Sequence, residues 1–165
     1  MSDAQLVSLG RVGALLETAR IEHWLFGGWA VDFYVGEVTR SHFDVDLAVW
    51  QSDLATIVDL LERDGWRHAP LADEDGGTGY EREGVRLELT YLVRLDDGRI
   101  AIPLRSGPVA LRDGTFGRDV GELRGVRARL IGREALTAGK ATPRDDPEDA
   151  AKDRADFRRL SIGGQ

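Results

Sequence analysis

Leu6, Leu9, Val12, Leu15, Leu16 and Ala19 recur at three- and four-residue intervals, which predicts an amphipathic helix over about residues 3–20, capped by Ser2 or Asp3. "HWLFGG" reads as a short buried strand ending at Gly27-Gly28. "WAVDFYVG" reads as a helix with Trp29 and Phe33 four apart and Gly36 closing it. The polar "EVTRSHF" is a loop. "DVDLAVW" then changes to a period of two, with Val45, Leu47 and Val49 on one face and Asp44, Asp46 and Ala48 on the other. "SDLATIVDLLERDG" returns to helical spacing, with Ser52 or Asp53 before it and Gly65 after it. The acidic, glycine-rich "DEDGGTG" is a turn. "YEREG" and "VRLELTYLVR" form a hairpin, and "GRIAIPL" extends the sheet beyond the "DDG" turn. Residues 103–122 show few periodic apolar positions and read as a long loop. "VRARLIG" is a strand or extended connector, "REALTAGK" a short helix, "TPRDDP" a break and "EDAAKDRADFRRL" a final helix.

This order of elements predicts an α/β (α+β) fold, a mixed β-sheet flanked by helices with a short helical C-terminal segment. A chain of 165 residues suits one domain, with a core over residues 1–125 and residues 126–165 packing on it as helices. A hydrophobic content of 42% is that of a globular protein. No stretch approaches the ~18 apolar residues of a membrane span. The N-terminal segment lacks a basic region followed by an apolar core, so no export signal is read and a cytoplasmic location is expected. With no cysteine in the chain, disulfides and thiolate metal sites drop out. A formal charge of −7 weighs against non-specific binding to nucleic acid and suits a cationic partner, one whose charge is offset by metal ions, or simply solubility.

The candidate chemistry lies in the acids that interrupt apolar strands. Period-two alternation puts Asp44 and Asp46 on one face, ~7 Å apart along the strand. Two such carboxylates raise each other's pKa unless a cation sits between them, and hard oxygen donors suit Mg²⁺ or Mn²⁺. In "VRLELTYL" the same alternation puts Arg86, Glu88 and Thr90 opposite Val85, Leu87 and Leu89. If the two strands are neighbours, three carboxylates converge, as in-line displacement at phosphorus requires of a metal site. A solvent-facing sheet and a glycosyltransferase D-x-D are the other readings of the pair. Gly27-Gly28, at a strand-to-helix junction, offers bare backbone N–H groups to phosphate oxygens.

The stretch "GGWAVDFYVGEVTRSHFDVDL" resembles the opening motif of the aminoglycoside and lincosamide nucleotidyltransferases of the DNA polymerase β-like superfamily. Gly27-Gly28-Trp29, Asp32, Gly36, Thr39-Arg40, His42 and Asp44-Val45-Asp46 carry the resemblance. "LELTYLVRLDDGRI" is similar to the third acidic strand of that family, and "LIGREALTAGK" with "KDRADFRRL" to the closing segment of its small lincosamide type. The resemblance implies a nucleotidyltransferase fold and transfer of a nucleoside monophosphate (AMP, with ATP as donor) to an antibiotic hydroxyl, releasing pyrophosphate. It implies that Asp44 and Asp46 hold Mg²⁺ or Mn²⁺, that Glu88 is the third carboxylate and a candidate general base, and that Gly27-Gly28 lies against the triphosphate. Arg40 and His42 match positions beside the metal ligands, where they contact phosphate or anchor the loop, and Lys140 is a further candidate phosphate partner. Glu88 stands where relatives often carry Asp, and Phe43 where a polar or acidic residue is usual.

Among the remaining residues, Trp24, Trp29, Trp50 and Trp66 fit core packing better than base stacking, and His23 and His68 have no ligand spacing. Asp73, Glu74 and Asp75 fit a solvated turn better than a polycation site. Arg158 and Arg159 fit an exposed helix face or a dimer contact. The expected partners are an NTP and a small-molecule hydroxyl acceptor, with no nucleic acid and no membrane. A homodimer is consistent with a small domain that must enclose two substrates. An enzyme of toxin–antitoxin type acting on protein or tRNA, and an inactive nucleotide-binding module, are the competing readings.

Overall fold

The computed structural model of the protein describes residues 2–162. Helix α1 (Ser2–Thr18) buries Leu6, Leu9, Val12 and Leu16, the stripe that the apolar spacing predicts. Strand β1 (His23–Phe26) leads directly into α2 (Gly27–Val35), which Gly36 ends in the left-handed conformation by donating its N–H to the Asp32 carbonyl. Strand β2 (Val45–Trp50), a turn of 3₁₀ helix and α3 (Leu54–Arg63) follow. Next come β3 (Arg67–His68), β4 (Gly77–Arg82), β5 (Val85–Arg94), β6 (Ile100–Leu104) and β7 (Gly107–Ala110). A second hairpin, β8 (Val120–Leu123) and β9 (Val126–Arg129), precedes α4 (Arg133–Ala141) and α5 (Pro147–Ile162). Asp146 caps α5, accepting the N–H groups of Glu148 and Asp149 at 2.9 Å, with Pro147 in the first helical position.

The main sheet runs β1-β2-β5-β4-β3, with β6 and β7 continuing from β5. Strand β2 is parallel to β5 and antiparallel to β1, so the sheet is mixed and flanked by helices, as the element order predicts. Its inward face, with Val45, Leu47, Val49, Leu87 and Leu89, packs with α1, α2 and α3 in the principal core. The β8–β9 hairpin joins β1 through a Leu25–Leu130 bridge. No helix among the described residues is long and apolar enough to cross a membrane.

Two expectations need correction. Residues 103–122 are not one long loop, because they contain β7 and β8. Both are four-residue strands, and neither Gly-Pro-Val-Ala nor Val-Gly-Glu-Leu carries the apolar–polar alternation by which a half-buried strand is read from sequence. The "GGTG" of the predicted turn is already strand from Gly77. A Cβ at Gly77 would overlap the Leu89 carbonyl, so glycine here permits close strand approach rather than a turn. Ala48 lies on the face of Asp44 and Asp46, as the alternation predicts, and is buried there with Trp24 and Leu92 in a second, smaller apolar cluster.

Candidate active site

The β2–β5 register sets Asp46 directly beside Glu88, and Asp44 stands one residue before β2 begins. One carboxylate oxygen from each of the three acids lies within 4.8 Å of the others. Burial, with Glu88 close by, pushes the Asp44 carboxyl up to about 6. Burial and the charges of Asp44 and Glu88 push Asp46 well above the ordinary carboxylate range, against a smaller opposing pull from Lys140. Two carboxyls whose ionisation is opposed by burial and by neighbouring acids, with the Glu88 oxygen beside them, are a donor set suited to a hard divalent cation.

Glu88 is held from one side. Arg86 Nε donates to Glu88 Oε1 at 2.9 Å, while the other guanidinium nitrogens reach Ala69 O and Glu81 Oε1, each at 3.4 Å. Gly79 is opposite Glu88 in the β4–β5 register, and a Cβ there would come within 2.9 Å of the Arg86 guanidinium. Arg86 was not expected to act on Glu88, although its place two residues earlier on the same face was the available signal.

The double glycine is itself the start of α2. Gly27 has φ of 71°, and a Cβ on it would overlap Asp46 Oδ2. A Cβ on Gly28 would sit 2.5 Å from both Arg40 Nη2 and His42 Nδ1. Side chains of the site thus press against bare backbone, and no larger residue fits without displacing them.

Arg40 and His42 anchor the loop. Arg40 bonds Asp156 of α5 through Nε at 3.3 Å and Nη2 at 2.9 Å. His42, buried, pairs through Nε2 with Asp32 Oδ2 at 2.5 Å and packs against Trp29 with ring centroids 4.6 Å apart. Asp32 is fully buried and also accepts the Thr39 amide and hydroxyl, while Gln5 of α1 donates to the His42 carbonyl at 2.8 Å. Lys140 Nζ lies 3.1 Å from both Asp153 and Asp156. Burial alone would raise the Asp156 carboxyl, but Arg40 and Lys140 more than offset it and hold it below its ordinary value. Asp32 stands in the motif that carries the resemblance, but no role follows for it from sequence, and Asp153 and Asp156, the buried partners of the loop's cations, leave no signal there.

A cavity of about 680 Å³ brings Gly27, Gly28, Arg40, His42, Asp44, Asp46, Glu88 and Lys140 into one lining, joined by Arg144 and Lys152 from the C-terminal segment. Asp73, Glu74 and Asp75 lie elsewhere: Glu74 accepts from His68 and Thr78, and Asp73 and Asp75 from Arg105.

Residues 8–107, more than half of the chain, match the family model described as aminoglycoside-2''-adenylyltransferase. The chain belongs to this family. Among curated relatives, 2''-aminoglycoside nucleotidyltransferases from Escherichia coli and Klebsiella pneumoniae are each 33% identical over 64 residues, 37% of this chain and 36% of theirs. The matched stretch thus spans about a third of the length of those relatives. Two solved structures share the fold of this aminoglycoside-2''-adenylyltransferase family member. The lincosamide antibiotic adenylyltransferase LnuA, lincomycin-bound, superposes with a TM-score of 0.72 at 21% identity over 92% of each chain. ANT(2'')-Ia in complex with adenylyl-2''-tobramycin gives 0.75 at 22% identity, covering 96% of this chain and 88% of that one.

Proposed function

We propose that the protein transfers a nucleoside monophosphate, AMP from ATP, to a hydroxyl of a small molecule of the aminoglycoside or lincosamide class, releasing pyrophosphate. The observation that carries this reading is the convergence of Asp44, Asp46 and Glu88 beside the N-terminus of α2. Asp44 and Asp46, with Glu88 as third donor, would hold Mg²⁺ or Mn²⁺. When bound, the ion supplies positive charge where the phosphates and the attacking oxygen accumulate negative charge.

The residues divide the remaining work. Glu88, oriented by Arg86, accepts the proton of the acceptor hydroxyl. The hydroxyl oxygen forms a bond to the α-phosphorus as the bond from that phosphorus to pyrophosphate breaks. Gly27 and Gly28 let the N-terminal N–H groups of α2 approach the phosphates closely. Lys140, Arg144 and Lys152 line the same cavity and balance the charge of the leaving pyrophosphate. Arg40 and His42 keep the loop that delivers Asp44 in place.

The test is pyrophosphate release with Mg²⁺, each NTP in turn, and a panel of both antibiotic classes, with products weighed by mass spectrometry. A product heavier by one nucleoside monophosphate is expected, and ATP should be the preferred donor. Pyrophosphate released without a modified acceptor, or product formed equally by Asp46→Asn, contradicts the assignment.

A further inference from the structure

The acid-bearing face of the sheet changes character along its length. On β2 the outward positions run Asp44, Asp46, Ala48, and on β5 they run Glu88, Thr90, Leu92. The acid end opens into the cavity that holds Gly27, Gly28 and the cations of the C-terminal segment. The other end opens into a second cavity of about 350 Å³, floored by Ala48, Thr90 and Leu92 and roofed by Ala138 of α4 and by Phe116. Phe26, Ile131, Ala135 and Gly139 line both, so the two are adjoining compartments, and the acids of the first precede Ala48 and Thr90 of the second along β2 and β5.

Their chemistry differs. The first compartment carries side chains of both charges, whereas in the second the one ionisable lining residue among the described residues is Arg112, and none of them puts a carboxylate there. The hydroxyls of Thr115 and Thr142 are spent on backbone carbonyls of their own segments, Arg112 O and Ala138 O. In an in-line transfer the attacking and leaving oxygens lie on opposite sides of the phosphorus. With phosphates against Gly27-Gly28, the attacking hydroxyl approaches from the Ala48–Thr90 side. A polyamine brought there would lose water from its charges and find no anion beyond the acid cluster, a cost that an apolar body does not incur.

We propose that this second compartment is the acceptor subsite, and that it selects an acceptor with an apolar body and little positive charge over a polycationic aminoglycoside. The inference rests on the acid cluster being the transfer site. Calorimetry with Mg²⁺ and a non-hydrolysable ATP analogue present would compare lincomycin, which carries one amine and alkyl groups, with tobramycin, a polyamine. Lincomycin should bind at least about tenfold more tightly, the difference reflecting uncompensated charge burial.

The variant Ala138→Trp alters an exposed helix position that roofs the compartment. It should weaken lincomycin by about tenfold or more through overfilling, with the nucleotide Kd changed less than about twofold. Ala138→Glu, which adds the missing anion, should narrow the gap in favour of tobramycin. Tobramycin binding as tightly as lincomycin, binding of neither, or Ala138→Trp weakening the nucleotide instead of the acceptor would each overturn the proposal, the last by making the cavity a nucleobase site. Failure of the transfer reading itself appears separately, as the absence of any mass-shifted product in the panel.

Discussion

Asp46 shows most directly how one side chain can oppose folding and serve chemistry. Its carboxyl, like that of Asp44 at about 6, sits above its unfolded value because burial and neighbouring acids penalise the charge. A group whose pKa rises on folding takes up protons as the chain folds. The metal-free protein should therefore lose stability as pH climbs above about 4, through about 6 for Asp44 and on through the raised value of Asp46. Asp46→Asn should raise the melting temperature at pH 7.5 in EDTA, by the equivalent of about 1–2 kcal/mol, while lowering turnover at least ~10³-fold. Scanning calorimetry against pH with and without Mg²⁺ checks both halves, and a variant no more stable than wild type in EDTA would show that the charges are already compensated. Arg86→Ala should lower kcat by about 10- to 100-fold with nucleotide affinity within about twofold, because the tether on Glu88 is lost and the phosphate contacts are not. Arg86→Lys should recover little, since an ammonium cannot span Glu88, Ala69 and Glu81 together. The three acids were legible in the sequence because alternation fixes which way a strand residue faces. Loop anchoring was one of two roles read for Arg40 and His42, but their partners, Asp156 and Asp32, were not legible, being specified by how helices pack rather than by local pattern.

At the scale of elements, α5 is unusual in what it buries. Its buried residues are Asp153, Asp156 and Leu160, so much of its docking is ionic. The fully buried Asp156 carboxylate gathers Arg40, Lys140 and Arg159. Asp156→Asn should destabilise the protein by about 3 kcal/mol, because removing the anion of a buried pair strands its cations. The pH dependence has the opposite sign to that of Asp46. The Asp156 pKa is depressed, so its contribution is present above its unfolded value near 4 and is lost as pH falls through the folded one. Urea melts between pH 7 and pH 3 should show wild type and variant converging in acid; a constant gap would contradict the pairing. The helices were readable from periodicity, although the Asp146-Pro147 pair, read as part of a break, is in fact the start of α5. The short edges β3, β7 and β8 were not, since two to four residues paired mainly through backbone leave no side-chain signature.

For the molecule as a whole, the sheet is the rigid part and the C-terminal helices form the wall that closes on it. Leu25, Leu47, Val49, Leu87 and Leu89 are essentially inaccessible, which ties β1, β2 and β5 to the principal core. Amide exchange should therefore be slowest in β2 and β5, and α5 should open at a free energy about 2 kcal/mol or more below the global value. Equal protection across both would show that the wall and the sheet unfold as one unit. The mixed sheet was foreseeable once a helix was read between the two acidic strands, but the apolar compartment beyond Ala48 was not. It requires β6, α4 and the 110–116 segment, distant in sequence, to meet over one end of β2 and β5.

The alternation along β2 also dictates how this gene can change over time. Because neighbouring residues face opposite sides, inserting or deleting one residue between Asp46 and Ala48 inverts the facing of everything after it and sends Val49 outward. Point changes in the apolar compartment leave that phase intact. What the enzyme accepts can thus be altered by substitution there, whereas a change of length within β2 costs the facing of both core and acids.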